Sequence, residues 1–221
     1  MTVVALDGPT ASGKSTVARA VAVQLGYVYL DTGAMYRAIG LLATEAGAPL
    51  DDAESVMAVA RGAGLHFDAE GRLFVGRRDV SAAIRTLDAA SAASQVSAIP
   101  EVRKQLVEQQ RALAGDTDIV MEGRDIGTNV FPEAEVKVFL SARPDVRSAR
   151  RAAEFRSRGQ DVEDSEVLAA LLERDRRDAT RKVAPLRKAA DAVEIDTSEM
   201  TLDEVVRAVL SLVDEKVRVG G

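Results

Sequence analysis

The sequence predicts an α/β fold, a mostly parallel sheet covered by helices on both faces and interrupted by a small antiparallel β/helical insert. Short apolar runs rich in β-branched residues alternate with longer stretches of helical periodicity, the pattern of repeated strand–helix units. Polar, glycine-bearing segments follow several of those runs, as they do where a parallel sheet presents ligands at the carboxyl ends of its strands. Between about residues 65 and 80 the pattern changes to short alternating pieces broken by Glu70-Gly71 and Gly76, which predicts an antiparallel meander.

The elements follow in order. Residues 3–6, VVAL, form a buried strand that stops at Asp7-Gly8, and TVARAVAVQLG then places Val17, Val21 and Leu25 on one helical face before Gly26. YVYLD is a second strand, and Asp31 or Thr32 caps the helix AMYRAIGLLATEAG. The meander LHF, RLFV and RDV precedes two helices, LDAASAASQVSA and PEVRKQLVEQQRAL, the latter with Pro100 in its first turn and Val102, Leu106 and Leu113 on a shared face. IVME and VKVFLSA are further buried strands ending in polar loops, the first in Gly123-Arg124-Asp125-Ile126-Gly127. From Pro144 an Arg-rich helix runs to a break at about 159–164, and helix resumes as SEVLAALLERDRRDATRKVAPL. AVEID is the last strand, and Thr201 to Glu204 matches a capping box opening the last helix.

Size and composition narrow the function. At 221 residues with 47% hydrophobic and 29% charged residues, the chain suits one globular domain that buries a sizeable core. A formal charge of -6 argues against a general nucleic-acid binder, whose affinity rests on Lys and Arg neutralising phosphates. With no Cys there is neither a disulfide framework nor a thiolate metal site. No signal peptide or membrane span is expected, so the reading is a cytoplasmic protein without a membrane partner.

The motif that carries chemistry is GPTASGKS, Gly8 to Ser15, set between strand and helix. A loop of this spacing wraps backbone N–H groups of Gly8, Thr10, Ala11, Ser12 and Gly13 and their neighbours around phosphate oxygens, with Pro9 supplying a fixed turn and no N–H. Lys14 then reaches the β- and γ-phosphates and Ser15 offers a hydroxyl to Mg²⁺, with Thr16 a second hydroxyl beside it. The spacing predicts a nucleoside triphosphate site. No Asn-Lys-x-Asp segment reads guanine, and Asp68 to Gly71 is read as an ordinary turn.

Other charged groups admit two readings on spacing alone. Arg174, Asp178 and Arg181 in ERDRRDATR are either a solvated helix face with internal ion pairs or a cleft-lining set in which Arg forks clamp phosphate. Arg124-Asp125 is either a loop salt bridge or a ligand contact at the sheet edge, and Arg37 either a surface residue or a further phosphate clamp. His66, the only histidine, is read as structural.

Taken in order, GPTASGKST, LDTGAMYR, IRT, ASQVSAIPEVR, EGRDIGT and ERDRRD with RKVAPL resemble the bacterial cytidylate kinases among the nucleoside monophosphate kinases, over essentially the whole chain. The resemblance implies a P-loop kinase-like fold in which residues 1–37 and 111–221 form the core, 38–110 the acceptor-binding insert and 150–164 a short helical lid, within one domain. It implies that Gly8 to Thr16 hold ATP with Mg²⁺ on Ser15 or on Thr16 beside it, and that Lys14, Arg124 and Arg174 act in catalysis. Thr32, Arg37 and Arg124 would hold the acceptor phosphate, Ser94, Arg103, Asp125 and Arg181 would read cytosine, and Arg174 and Asp178 would meet the ribose. The implied partners are CMP and dCMP, with a monomer expected and no nucleic acid, and insert and lid would close on the substrates. The rivals are a P-loop kinase for UMP, AMP or shikimate, and an NTP-dependent regulatory or RNA-binding module using the basic 143–188 region.

Overall fold

The computed structural model describes residues 1–68 and 70–219, arranged as two compact units: Met1–Leu30 with the chain from Ala114 onward, and Asp31–Leu113. No helix among the described residues is long and apolar enough to cross a membrane.

The first unit is built on a five-stranded sheet. Its strands are β1 (Val3–Asp7), β2 (Val28–Asp31), β6 (Ile119–Gly123), β7 (Val136–Ser141) and β8 (Val193–Asp196), in the order β2-β6-β1-β7-β8. β1 runs parallel to β6, with Asp7 opposite Gly123, and parallel to β7, which is itself parallel to β8. Every residue of β1 is buried, which explains its unbroken apolar run: a central parallel strand is covered on both faces. Val4 and Leu6 share one core with Val17 and Val21 of helix α1 (Lys14–Leu25) and with Val205, Val209 and Val213 of α8 (Leu202–Val219). α8 starts on the capping box read from the sequence: Thr201 donates its N–H to Glu204 Oε2 at 2.8 Å, and Glu204 donates its own to Thr201 Oγ1 at 3.4 Å.

Two readings are corrected in this unit. Helix α6 (Pro144–Ser157) is followed by α7 (Asp164–Thr180), which ends well before Leu186. Arg181 turns extended, at φ -60° and ψ 144°, and therefore lies past the helix rather than on its face. Pro185 keeps the helix from running on through Leu186, since proline has no N–H to continue the ladder and disfavours helix in the residue before it. The second concerns the polar loop after β6. Residues Ile126–Val130 wind into a single π-helical turn, closed by N–H groups of Val130 and Phe131 on the carbonyls of Asp125 and Ile126.

The second unit contains α2 (Thr32–Glu45), α3 (Ala53–Gly62), α4 (Leu87–Val96) and α5 (Pro100–Ala114), with strands β3 (Leu65–Phe67), β4 (Leu73–Val75) and β5 (Arg78–Asp79) as the meander. Its core joins Met35, Tyr36 and Ile39 to Val56, Val96, Val102 and Leu106. α3 was not singled out in the sequence because its buried stripe is only Val56 and Ala60, although Asp52 caps it by accepting the Ser55 N–H at 3.0 Å. In α5 the buried face steps by four through Leu106, Gln110 and Ala114, drifting round the helix, so Leu113 is exposed rather than in line with Val102. The turn read at Asp68 to Gly71 is present, with Gly71 donating to the Asp68 carbonyl; Ala69 within it lies outside the described residues. His66 is exposed and stacks on Phe74 across the hairpin, as a structural histidine does.

Gly40 lets α2 lie directly on α4. A Cβ there would come 2.8 Å from Ala92 Cβ and 2.9 Å from the Ala93 backbone N. Alanine in place of glycine favours a helix by about 1 kcal/mol in itself, whereas overpacking costs about 1–3 kcal/mol, so Gly40→Ala is expected to destabilise. A lower urea midpoint with unchanged m-value checks this; a raised midpoint would refute it.

Candidate active site

The sheet topology places Gly8 and Arg124 just beyond the carboxyl ends of two neighbouring parallel strands, and the site of the first unit grows from there. Gly8 has φ +148°, and a Cβ on it would overlap the Leu140 carbonyl oxygen at 2.1 Å, so no other residue fits between β1 and β7. Ala11 and Gly13 also take positive φ, and Gly13 starts α1 with no side-chain cap. The first N–H groups of α1 are thereby left to an anion.

The carbonyls of the loop are held from behind. Pro9 O accepts from Lys14 Nζ at 2.5 Å, Thr10 O from Arg147 at 3.2 Å, and Ser12 O from Thr197 Oγ1 at 3.1 Å. Arg147 also pairs with Asp175 of α7 at 2.7 Å, and Arg150 donates to Thr197 O at 2.6 Å. The braces from Arg147 and Thr197 were not legible in the sequence, because these partners lie over a hundred residues from the loop.

Lys14 is buried, and desolvation, with Arg124 and Arg174 nearby, lowers its pKa to about 7 against the pull of Glu122 and Asp7. A triphosphate beside it would restore the ammonium. Nucleotide binding at pH 8 is therefore expected to take up about one proton, with affinity falling as pH rises above 7, and uptake should fade at pH 6 where Lys14 is already charged. Calorimetry in buffers of different ionisation enthalpy measures this; buffer-independent heats at pH 8 would refute it.

Ser15 Oγ donates to Glu122 Oε2 at 2.9 Å, and Tyr29 donates its hydroxyl to Glu122 Oε1 at 2.5 Å. A hydroxyl beside a carboxylate is a hard-oxygen donor set suited to Mg²⁺, which keeps waters and phosphate oxygens in its remaining positions. Glu122 was missed in the sequence, although a strand that ends in a carboxylate at the loop side of the sheet was the available signal. Among the described residues no group of three or more His, Cys, Asp or Glu is placed to hold a metal by itself.

Arg124 and Asp125 do not pair with each other; both reach toward α7 and its end. Arg124 donates Nε to Asp178 Oδ2 at 2.9 Å, Arg174 stands 3.9 Å from the same oxygen, and Arg181 lies 3.4 Å from Asp125 Oδ1. Burial alone would raise the Asp178 pKa, but the guanidinium groups of Arg124, Arg174 and Arg181 hold it below the usual carboxylate range. Along this helix Glu173 and Arg176 form an exposed pair, while Arg174 and Asp178 are largely buried.

In the second unit, Asp31 caps α2 by accepting the Ala34 N–H at 2.9 Å and also binds Arg37 at 2.7 Å, with Arg85 at 3.8 Å. Burial would raise the Asp31 pKa, yet Arg37 and Arg85 keep it lowered. Arg85 is a further cation that the sequence reading left without a role. Thr32 is buried in the first turn of α2. Ser94 is buried on α4, and its Oγ has no hydrogen-bond partner among the described residues. Arg103 on α5 lies over the Tyr36 ring at 5.4 Å and donates to the Ser97 carbonyl.

Comparison with known proteins gives the family of the chain. A protein-family model for cytidylate kinase matches residues 4–215. The cytidylate kinase of Lactobacillus gasseri is 44% identical over 218 residues, covering 96% of this chain and 94% of its own. That of Streptomyces avermitilis is 46% identical over 219 residues, covering 97% and 93%. A solved gluconokinase from Sinorhizobium meliloti, 16% identical, superposes with a TM-score of 0.50 over 99% of this chain and 95% of its own, a likeness of fold alone. The chain belongs to the cytidylate kinase family.

Proposed function

We propose that this enzyme transfers the γ-phosphoryl group of ATP to CMP and dCMP, giving ADP with CDP or dCDP. The observation that carries the reading is the clustering of Arg124 and Arg174 on buried Asp178, close enough to depress Lys14 in the phosphate loop. An oxygen of the acceptor phosphate attacks the γ-phosphorus in line. The new P–O bond forms as the bond to the β,γ-bridging oxygen breaks, and that oxygen leaves with the electron pair on ADP. A phosphate monoester with a second pKa of about 6 is already mostly dianionic at neutral pH, so no general base is needed.

The difficulty is repulsion between anions, and the remedy is fixed positive charge. Lys14 and the N–H groups of residues 8–16 hold the donor phosphates. Thr32, Arg37 and Arg124 hold the acceptor phosphate, Arg174 and Asp178 meet its sugar, and Ser94, Arg103, Asp125 and Arg181 read the base. The unpartnered, buried Ser94 Oγ supports this last role, since an orphaned hydroxyl is costly unless a ligand completes it. Ser15, steadied by Glu122, would hold Mg²⁺, which supplies charge neutralisation across the β- and γ-phosphates. The enzyme is read as cytoplasmic and monomeric, and its net charge of -6 supports the further reading that it binds no nucleic acid.

A coupled assay of ADP formation, offering CMP, dCMP, UMP, AMP and shikimate separately, tests the proposal. Turnover on CMP and dCMP is expected. Turnover on another acceptor alone would overturn the base-reading assignments, and salt-dependent RNA binding without turnover would favour the regulatory reading.

A further inference from the structure

Asp7, the last residue of β1, has a buried carboxylate that the reaction above does not use. Its Oδ1 accepts the N–H of Ile126 and its Oδ2 the N–H of Gly127, both at 2.8 Å. These two residues open the π-helical turn directly after Arg124 and Asp125. Gly127 is held closely: a Cβ on it would lie 3.1 Å from Lys137 Cδ and 3.5 Å from Asp7 Oδ2. On the other side, Asp7 is bonded to Gly8, where the phosphate loop begins. One carboxylate therefore joins the start of the donor loop to the backbone that carries Arg124 and Asp125.

We propose that Asp7 is a positioning residue for the acceptor nucleotide, fixing Arg124 and Asp125 through its two-pronged hold on the Ile126 and Gly127 backbone. The inference rests on the reading that Arg124 and Asp125 serve the acceptor. Backbone N–H groups gripped by a charged acceptor make stronger hydrogen bonds than neutral pairs, and both bonds are shielded from water. Burial raises the Asp7 pKa to about 6, with the two N–H donors and Lys14 opposing and Asp125 adding to the rise, so the grip is ionised at neutral pH. In an asparagine, one oxygen can still accept, while the amide NH₂ confronts the other N–H.

The test compares steady-state kinetics of Asp7→Asn, Asp125→Asn and the unaltered enzyme. Asp7→Asn is expected to raise KM for CMP about tenfold and to leave KM for ATP within about twofold, since one hydrogen bond to a charged group is at stake and the donor phosphates are held elsewhere. A purely structural Asp7 would lower the melting temperature without separating the two KM values. Equal changes in both constants, or no change in either, would overturn the proposal. If Asp125→Asn raises KM for CMP and Asp7→Asn does not, the positioning role alone fails; if Asp125→Asn leaves it unchanged, the underlying site reading fails and the proposal with it. Should Asp7→Asn not fold, amide exchange on the unaltered, ligand-free enzyme decides: protection of both Ile126 and Gly127 by about 10²-fold or more is expected, and exchange at the rate of an open loop would refute the grip.

Discussion

Lys14→Ala is expected to reduce kcat/KM for CMP phosphorylation by about 10³-fold or more, because one preorganised donor aimed at developing charge is worth about 10²–10³ even when it is neutral. The lysine is buried, and its ammonium is turned onto Pro9 O and Ser12 Oγ. The loss should fall on kcat and on ATP affinity together, with CMP binding nearly intact. Folding should survive, since the substitution removes a charge whose burial is unfavourable without ligand. A variant that folds, binds CMP and retains more than about a tenth of the activity would contradict the role given to Lys14.

Asp178→Ala should act on the other substrate. Removing the carboxylate leaves Arg124, Arg174 and Arg181 crowded without their shared anion, and takes away the acceptor proposed for the sugar hydroxyl. KM for CMP is expected to rise about 10²-fold, the size of a lost charged hydrogen bond with its partners left buried, while KM for ATP moves by less than about threefold. Equal effects on both would remove Asp178 from the acceptor site. Stability gives a second check. A carboxylate with a lowered folded pKa stabilises the fold above its ordinary value of 3.8, and the contribution is lost as pH falls through the lowered value. The stability gap between Asp178→Asn and the unaltered enzyme should therefore be full at neutral pH and shrink in acid.

The parallel sheet was legible because its strands are buried on both faces, and burial on both faces writes continuous apolar runs such as VVAL and IVME into the sequence. The phosphate loop was legible because its glycines answer to backbone geometry within a few residues. The grouping of Arg124, Arg174, Asp178 and Arg181 was not legible from spacing, since it joins β6 to α7 across fifty residues and spacing reports only neighbours on one element. The resemblance to a family, and not periodicity, raised those residues above an ordinary charged helix. Glu122 and Asp7 went unnoticed for a related reason: each lies at or next to the end of a strand, and its partners come from distant parts of the chain. The early end of α7 was visible in Pro185, but the charge pattern running through Arg181 outweighed it.

The assigned cations are not stored bare. Arg37 rests on Asp31, Arg124 and Arg174 on Asp178, and Arg181 on Asp125. Each carboxylate is a tethered counterion, present at an effective concentration far above that of any free anion in the surroundings. Stray sulfate or inorganic phosphate must outcompete it, and so must the backbone of a passing polynucleotide. Under the proposed function a mononucleotide would do so by engaging base, sugar and phosphate together. The expected consequence is a chain of overall negative charge whose paired cations favour a ligand with several matched groups over a simple anion.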